Sequence, residues 1–176
     1  MPAGGNPETP KKQSATMIIQ SDRFGSIHVN ESDIIAFSSG ILGFPGESKF
    51  VLVRTENAHA IGWLQSATNS FLALPVVSAH VLAPYYPDVE VESYARRAGL
   101  GDSLEELAVM VVLNAPPGIP ATINLVAPII VNVATRRGVQ WFLENSRYTN
   151  REIFSLPLRQ LAASQSECHG APCSDK

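Results

Sequence analysis

The sequence contains no glycine-rich phosphate loop, no H-E-x-x-H pair and no cysteine before Cys168. Those absences exclude nucleotide binding of the P-loop kind, zincin-type hydrolysis and a Cys/His metal cluster within the body of the chain. Cys168 and Cys173 lie close together near the end with His169 beside the first. Three such ligands lack the fourth that a structural zinc site needs, so they read as two free thiols in a tail, with no metal and no cofactor expected. Long apolar runs are missing too. None approaches the roughly 20 residues of a membrane span. Residues 1–16 have no apolar centre and do not read as a secretory signal, which predicts a cytoplasmic location. Excess positive charge is likewise lacking: the formal charge of −3 argues against a general nucleic-acid binder, which needs many cations to neutralise phosphates.

Catalytic groupings are equally scarce. His28, His59 and His80 are isolated from one another, and Ser66 and Ser70 lack the flanking glycines of a nucleophile elbow. Asp88, Glu90 and Glu92 are the only clustered carboxylates with any promise. On a strand they would stand about 7 Å apart on one face with nothing nearby to raise one pKa. The sequence therefore reads as that of a binding protein and not an enzyme.

Apolar patterning is what the chain does have. At 176 residues and 45% hydrophobic, it suits one domain of roughly 100–150 residues plus tails. Over residues 120–133 the odd positions Ile123, Leu125, Ala127, Ile129, Val131 and Val133 are all apolar, while the even ones mix Thr122, Asn124 and Asn132 with Val126, Pro128 and Ile130. A period of two with one apolar face predicts a long strand on a core. Pro128, lacking an N–H, predicts an edge, bend or bulge there. Residues 108–114 form a continuous apolar run, expected to be a strand buried on both faces.

Shorter strands are predicted at 17–20, 26–30, 33–37, 50–54, 61–66 and 71–77, the last placed at an edge by Pro75. Val139, Trp141 and Leu143 share one face of a final strand, and residues 148–154 read as a closing helical turn. Helical turns are also expected at 93–98, ended by Gly99, and after Asp102 or Ser103, where Ser103 and Glu106 fit a capping box. Frequent short strands with turn signals predict a mostly β fold, a small antiparallel barrel or sandwich with a few short helices.

Two stretches stand out as surfaces. Residues 85–106 carry six acids, Asp88, Glu90, Glu92, Asp102, Glu105 and Glu106, against Arg96 and Arg97. The alternation over 88–92 predicts a strand with three carboxylates on one face, which either meets a basic partner or simply protects a sheet edge. In the loop Ile41-Leu42-Gly43-Phe44-Pro45-Gly46, apolar side chains sit in an irregular segment. Phe44 is expected to fold onto the core and Leu42 to be exposed. Arg136, Arg137, Arg147 and Arg151 read as a solvated rim.

Four motifs in order, F-S-S-G-I-L-G-F (residues 37–44), W-L-Q-S (63–66), T-I-N-L-V-A-P-I (122–129) and G-V-Q-W-F-L-E-N-S-R-Y (138–148), resemble the FliW family of flagellar assembly factors. The resemblance covers residues 17–154. It leaves a disordered N-terminal extension over 1–16 and a disordered tail over 155–176 without family counterpart, and it finds Val89 where family members tend to carry an aromatic. It implies a small barrel-like β domain with a non-enzymatic role. It also implies binding of flagellin, in a chaperone-like manner, and of the translational regulator CsrA, whose repression of flagellin synthesis the protein opposes. Joined to the residue reading, this assigns Asp88, Glu90, Glu92, Glu105 and Glu106 to CsrA and Ile41, Leu42 and Phe44 to flagellin. Two alternatives stand beside it: a flagellin chaperone that does not bind CsrA, and a small-molecule-binding β-barrel.

Overall fold

The computed structural model describes residues 15–54, 60–82, 91–101, 103–144 and 147–155. Strands β1 (Thr16–Ser21) and β2 (Gly25–Asn30) form an antiparallel hairpin. Then come β3 (Ile35–Phe37), β4 (Lys49–Arg54), β5 (Ile61–Ser66), β6 (Ala73–Ser78) and helix α1 (Val91–Arg97). The remainder is β7 (Leu107–Asn114), β8 (Thr122–Ile123), β9 (Ile129–Asn132), β10 (Arg137–Gln140) and β11 (Glu152–Ile153). Strands β3, β4, β5, β6, β7, β9 and β10 close into a ring, because β9 pairs with β10 on one side and returns to β7 on the other. All pairs in the ring are antiparallel except β10 with β3. Closure removes the unpaired edges that an open sheet of this size would leave.

The interior is filled from six of the seven ring strands by Ile35, Phe37, Phe50, Leu64, Val76, Met110, Ile129 and Val131. Phe37 and Phe50 meet edge to face with ring centroids 5.5 Å apart. Strand β10 contributes the space itself: a Cβ on Gly138 would lie 2.6 Å from the Phe37 ring. Three smaller apolar clusters hold elements to the outside. The hairpin packs through Ile19 and Val29 on Val51 of β4. Helix α1 packs through Ala95, with Leu100 after it, on Ile130 of β9. Val77, Val111, Ile123, Leu125 and Leu143 form the third.

Several expectations change against this structure. The long strand over 120–133 is two short ones, because the Asn124 side-chain oxygen accepts the N–H groups of Val126 and Ala127 and turns the chain before Pro128. Its apolar face is nonetheless buried, Val133 apart. Pro75 is not on an edge strand: β6 lies between β5 and β7, and Pro75 sits one residue outside the β6–β7 ladder, which begins at Val76, so its missing N–H costs no bond. Residues 152–153 pair with β8 as β11 and are not helical. The predicted strand over 88–92 fails at its described end, where Val91 and Glu92 open α1. Ser103 does precede a 3-10 turn at Leu104–Glu106, but its side chain makes no cap bond.

Candidate functional site

Among the described residues, no group of three His, Cys, Asp or Glu side chains is placed to hold a metal. His28 and His80 are both exposed. Among the described residues no buried side-chain nitrogen or oxygen lacks a hydrogen-bond partner. No described helix is long and apolar enough to cross a membrane. The structure directs attention to surfaces.

The first surface is the loop between β3 and β4. Gly40 enters it with φ +68°, a conformation few side chains tolerate, and a Cβ there would lie 2.6 Å from the Phe44 carbonyl. The Phe44 N–H donates to the Ile41 carbonyl at 2.7 Å, closing a tight turn. Ile41 plugs into the barrel core at 3% exposure, while Leu42 at 56% and Phe44 at 38% face out. Phe44 thus stands at the surface, contrary to expectation: the turn spends Ile41 on the core and leaves the other two outside. Glu47 ties the loop to the β5–β6 connection, its carboxylate accepting the Ser66 hydroxyl at 2.7 Å and the Thr68 hydroxyl at 2.8 Å. Those hydroxyls, Ser66 first, hold the Glu47 carboxyl below its ordinary value of 4.5.

The Leu42 N–H donates to the Gln140 side-chain oxygen at 2.9 Å, and the Gln140 amide nitrogen donates to the Ala127 carbonyl at 3.0 Å. Beyond β10 the pairing continues, Trp141 N–H to the Pro128 carbonyl and Leu143 N–H to the Val126 carbonyl. Trp141 and Leu143 therefore lie on the face that packs outside the barrel with Tyr94 and Ile123, and Gln140 and Phe142 lie on the other side. Phe142 is 57% exposed. It is a third exposed apolar side chain, two residues beyond the Gln140 that holds the loop, and was missed in the sequence. The signal was present, since the alternation that buries Trp141 and Leu143 must expose the residue between them.

The second surface is acidic. Asp88 and Glu90 lie outside the described residues. Glu92 is exposed in the first turn of α1, and Glu105 and Glu106 are exposed on the 3-10 turn before β7. Their neighbours Val91 and Leu107 pack against one apolar cluster. Glu106 also has an internal task. The Asn132 side-chain nitrogen donates to its carboxylate at 3.1 Å and to the Leu100 carbonyl at 2.8 Å, while the Asn132 oxygen accepts the Ala134 and Thr135 N–H groups.

The structure is a closed seven-stranded β-barrel with exposed apolar side chains on the loop after β3 and exposed carboxylates on α1 and the turn before β7. The FliW protein family model matches residues 17–154. The flagellar assembly factor FliW of Thermotoga neapolitana is 37% identical over 140 residues, 78% of this chain and 93% of that protein. The same factor from Bdellovibrio bacteriovorus is 30% identical over 146 residues, 82% of each. A crystal structure of the flagellar assembly factor FliW superposes with a TM-score of 0.68 at 30% identity, covering 78% of this chain and 96% of that one. The chain belongs to the FliW family of flagellar assembly factors.

Proposed function

We propose that this protein serves flagellar assembly by holding two protein partners in turn, flagellin and a CsrA-type translational regulator, and that it carries out no chemistry of its own. Free flagellin occupies the protein, CsrA is released, and flagellin translation falls. The output follows the ratio of each partner's concentration to its affinity. The observation that carries the reading is the exposure of Leu42, Phe44 and Phe142, with the Leu42–Phe44 loop held by the buried Ile41 and by Gln140. Such side chains fit the apolar stripe of an amphipathic helix, the kind of segment expected at flagellin termini. Glu92 and Glu105, with Asp88 and Glu90 of the same acidic stretch, are assigned to CsrA. Charge complementarity at such a surface raises the association rate and sets specificity, and it weakens with salt. Action in the cytoplasm belongs to the same proposal.

Calorimetric titration of flagellin into the protein tests the first half. Saturable binding that Leu42→Asp weakens supports it. Binding indifferent to Leu42 and Phe142 removes these side chains from the account.

A further inference from the structure

We infer that a cleft beside the end of α1 is a binding site for a small organic anion with an apolar body. It is separate from the surfaces assigned above and does not depend on them. Its volume is about 540 Å³, within the roughly 300–1,000 Å³ typical of small-molecule sites.

The sheet register builds its charged end. Ala36 of β3 is paired with Lys49 of β4 on one side and with Arg137 of β10 on the other. Residues paired across neighbouring strands project to the same face, and strands stand about 4.8 Å apart, so the two cations flank a methyl group with roughly 10 Å between their Cβ atoms. An anion lying between two cations so placed is attracted by both. Among the described residues neither has a carboxylate partner; Arg137 donates one hydrogen bond, to the Gly99 carbonyl at 3.3 Å, out of the five a guanidinium offers. Arg137 read as part of a solvated arginine rim in the sequence. In the fold it leaves that rim and joins a lysine almost ninety residues away.

Three serines complete the polar end. Ser38 and Ser39 are the central residues of a turn closed by the Gly40 N–H on the Phe37 carbonyl at 3.1 Å, and Ser48 faces them, its carbonyl accepting the Phe37 N–H at 2.8 Å. The apolar end is Val139 and Trp141 above the buried Leu100; the Trp141 ring also meets Tyr94 at 5.2 Å between centroids and lies 5.3 Å from the Arg97 guanidinium. Among the described residues no acidic side chain lines the cleft. A carboxylate or phosphate between Lys49 and Arg137, with an apolar body towards Val139 and Trp141, fits this lining.

The test is an amide NMR titration of the full chain with phenyl phosphate, phenylacetate, neutral phenylacetamide and inorganic phosphate. The inference expects saturable shifts at Ser38, Ser39, Lys49 and Gly138 with at least one of the two aromatic anions, and the tighter one identifies the head group. Phenylacetamide should bind about tenfold more weakly, as should either anion to Lys49→Ala, for the loss of one charge-assisted contact. Ala36→Leu, which fills the hollow between the cations, should abolish binding while leaving the rest of the spectrum in place. Equal binding of phenylacetamide overturns the inference, as does absence of saturation. Inorganic phosphate binding as well as phenyl phosphate would mean an adventitious ion only, and that too overturns it.

Discussion

The backbone N–H of Leu42 is held at 2.9 Å by the side chain of Gln140, ninety-eight residues further on. That bond fixes the loop after β3 to the last strand of the barrel, and Phe142 follows two residues beyond it. Replacing Leu42 and Phe142 by Asp is expected to lower flagellin affinity by a factor of ten or more, since central exposed aromatic and aliphatic anchors dominate such interfaces. Both residues are more than half exposed, so the thermal midpoint should move little. A double variant that stays folded and binds flagellin unchanged removes these residues from the function.

Gln140→Ala separates scaffold from contact. It leaves Leu42 and Phe142 in place but frees the loop from β10. The expected result is a modest loss of flagellin affinity, about threefold to tenfold, seen mainly in the association rate, because the loop must then order on binding. Stopped-flow measurement of the association and dissociation rates checks it.

The acidic surface needs a variant that spares Glu106. Glu92→Lys with Glu105→Lys should weaken CsrA binding, and the weakening should shrink as salt rises. Glu106→Lys is a poor probe because it strands the Asn132 amide. Asn132→Ala itself is expected to cost about 2–3 kcal/mol in urea unfolding, since it leaves the Leu100 carbonyl and two N–H groups of the β9–β10 turn unpaired.

Gly138→Ala tests the close approach of β10 to Phe37. A Cβ 2.6 Å from the edge of a fully buried ring forces Phe37 or the strand to move. The expected destabilisation is about 1–3 kcal/mol, as for other overpacked cores, read from the urea midpoint at constant m-value.

How much of this was readable beforehand varies by residue. The strands over 16–30, 49–66 and 107–114 follow from alternation and continuous apolar runs, whose number and spacing fit a barrel or a sandwich; closure comes from β9 pairing with both β10 and β7. The stretch over 120–133 shows the right buried face but not its break, because the break is made by the Asn124 side chain capturing two backbone N–H groups, a local competition that periodicity does not register. Glu92 was misplaced for a similar reason: two valines between acids read as a strand, and burial of Ala95 and Tyr94 against β9 and β10 makes a helix there instead. Of the surface residues, Leu42 was legible from its loop. Phe142 was missed although its neighbours' alternation sets it apart from them, and the pairing of Lys49 with Arg137 around Ala36 depends on a parallel strand contact that no local pattern encodes.

Glu47 gives the loop a pH dependence. Its folded-state pKa is depressed, so the stability it contributes is present above its unfolded value and is lost as pH falls through the lower folded value. Glu47→Gln should therefore be less stable than the parent near neutral pH, and the difference should narrow below pH 4.5. Urea titrations at pH 7 and at about pH 3 decide it; a difference that does not change with pH contradicts the assignment.

The central claim is that one protein holds two partners by turns, and competition calorimetry addresses it most directly. CsrA is titrated into the protein alone, at low and high salt, and then into the protein saturated with flagellin. The account predicts saturable binding that salt weakens and that flagellin abolishes. CsrA binding with the same affinity in the presence of saturating flagellin would contradict the exchange, and no CsrA binding at all would leave a flagellin-binding protein without the translational role.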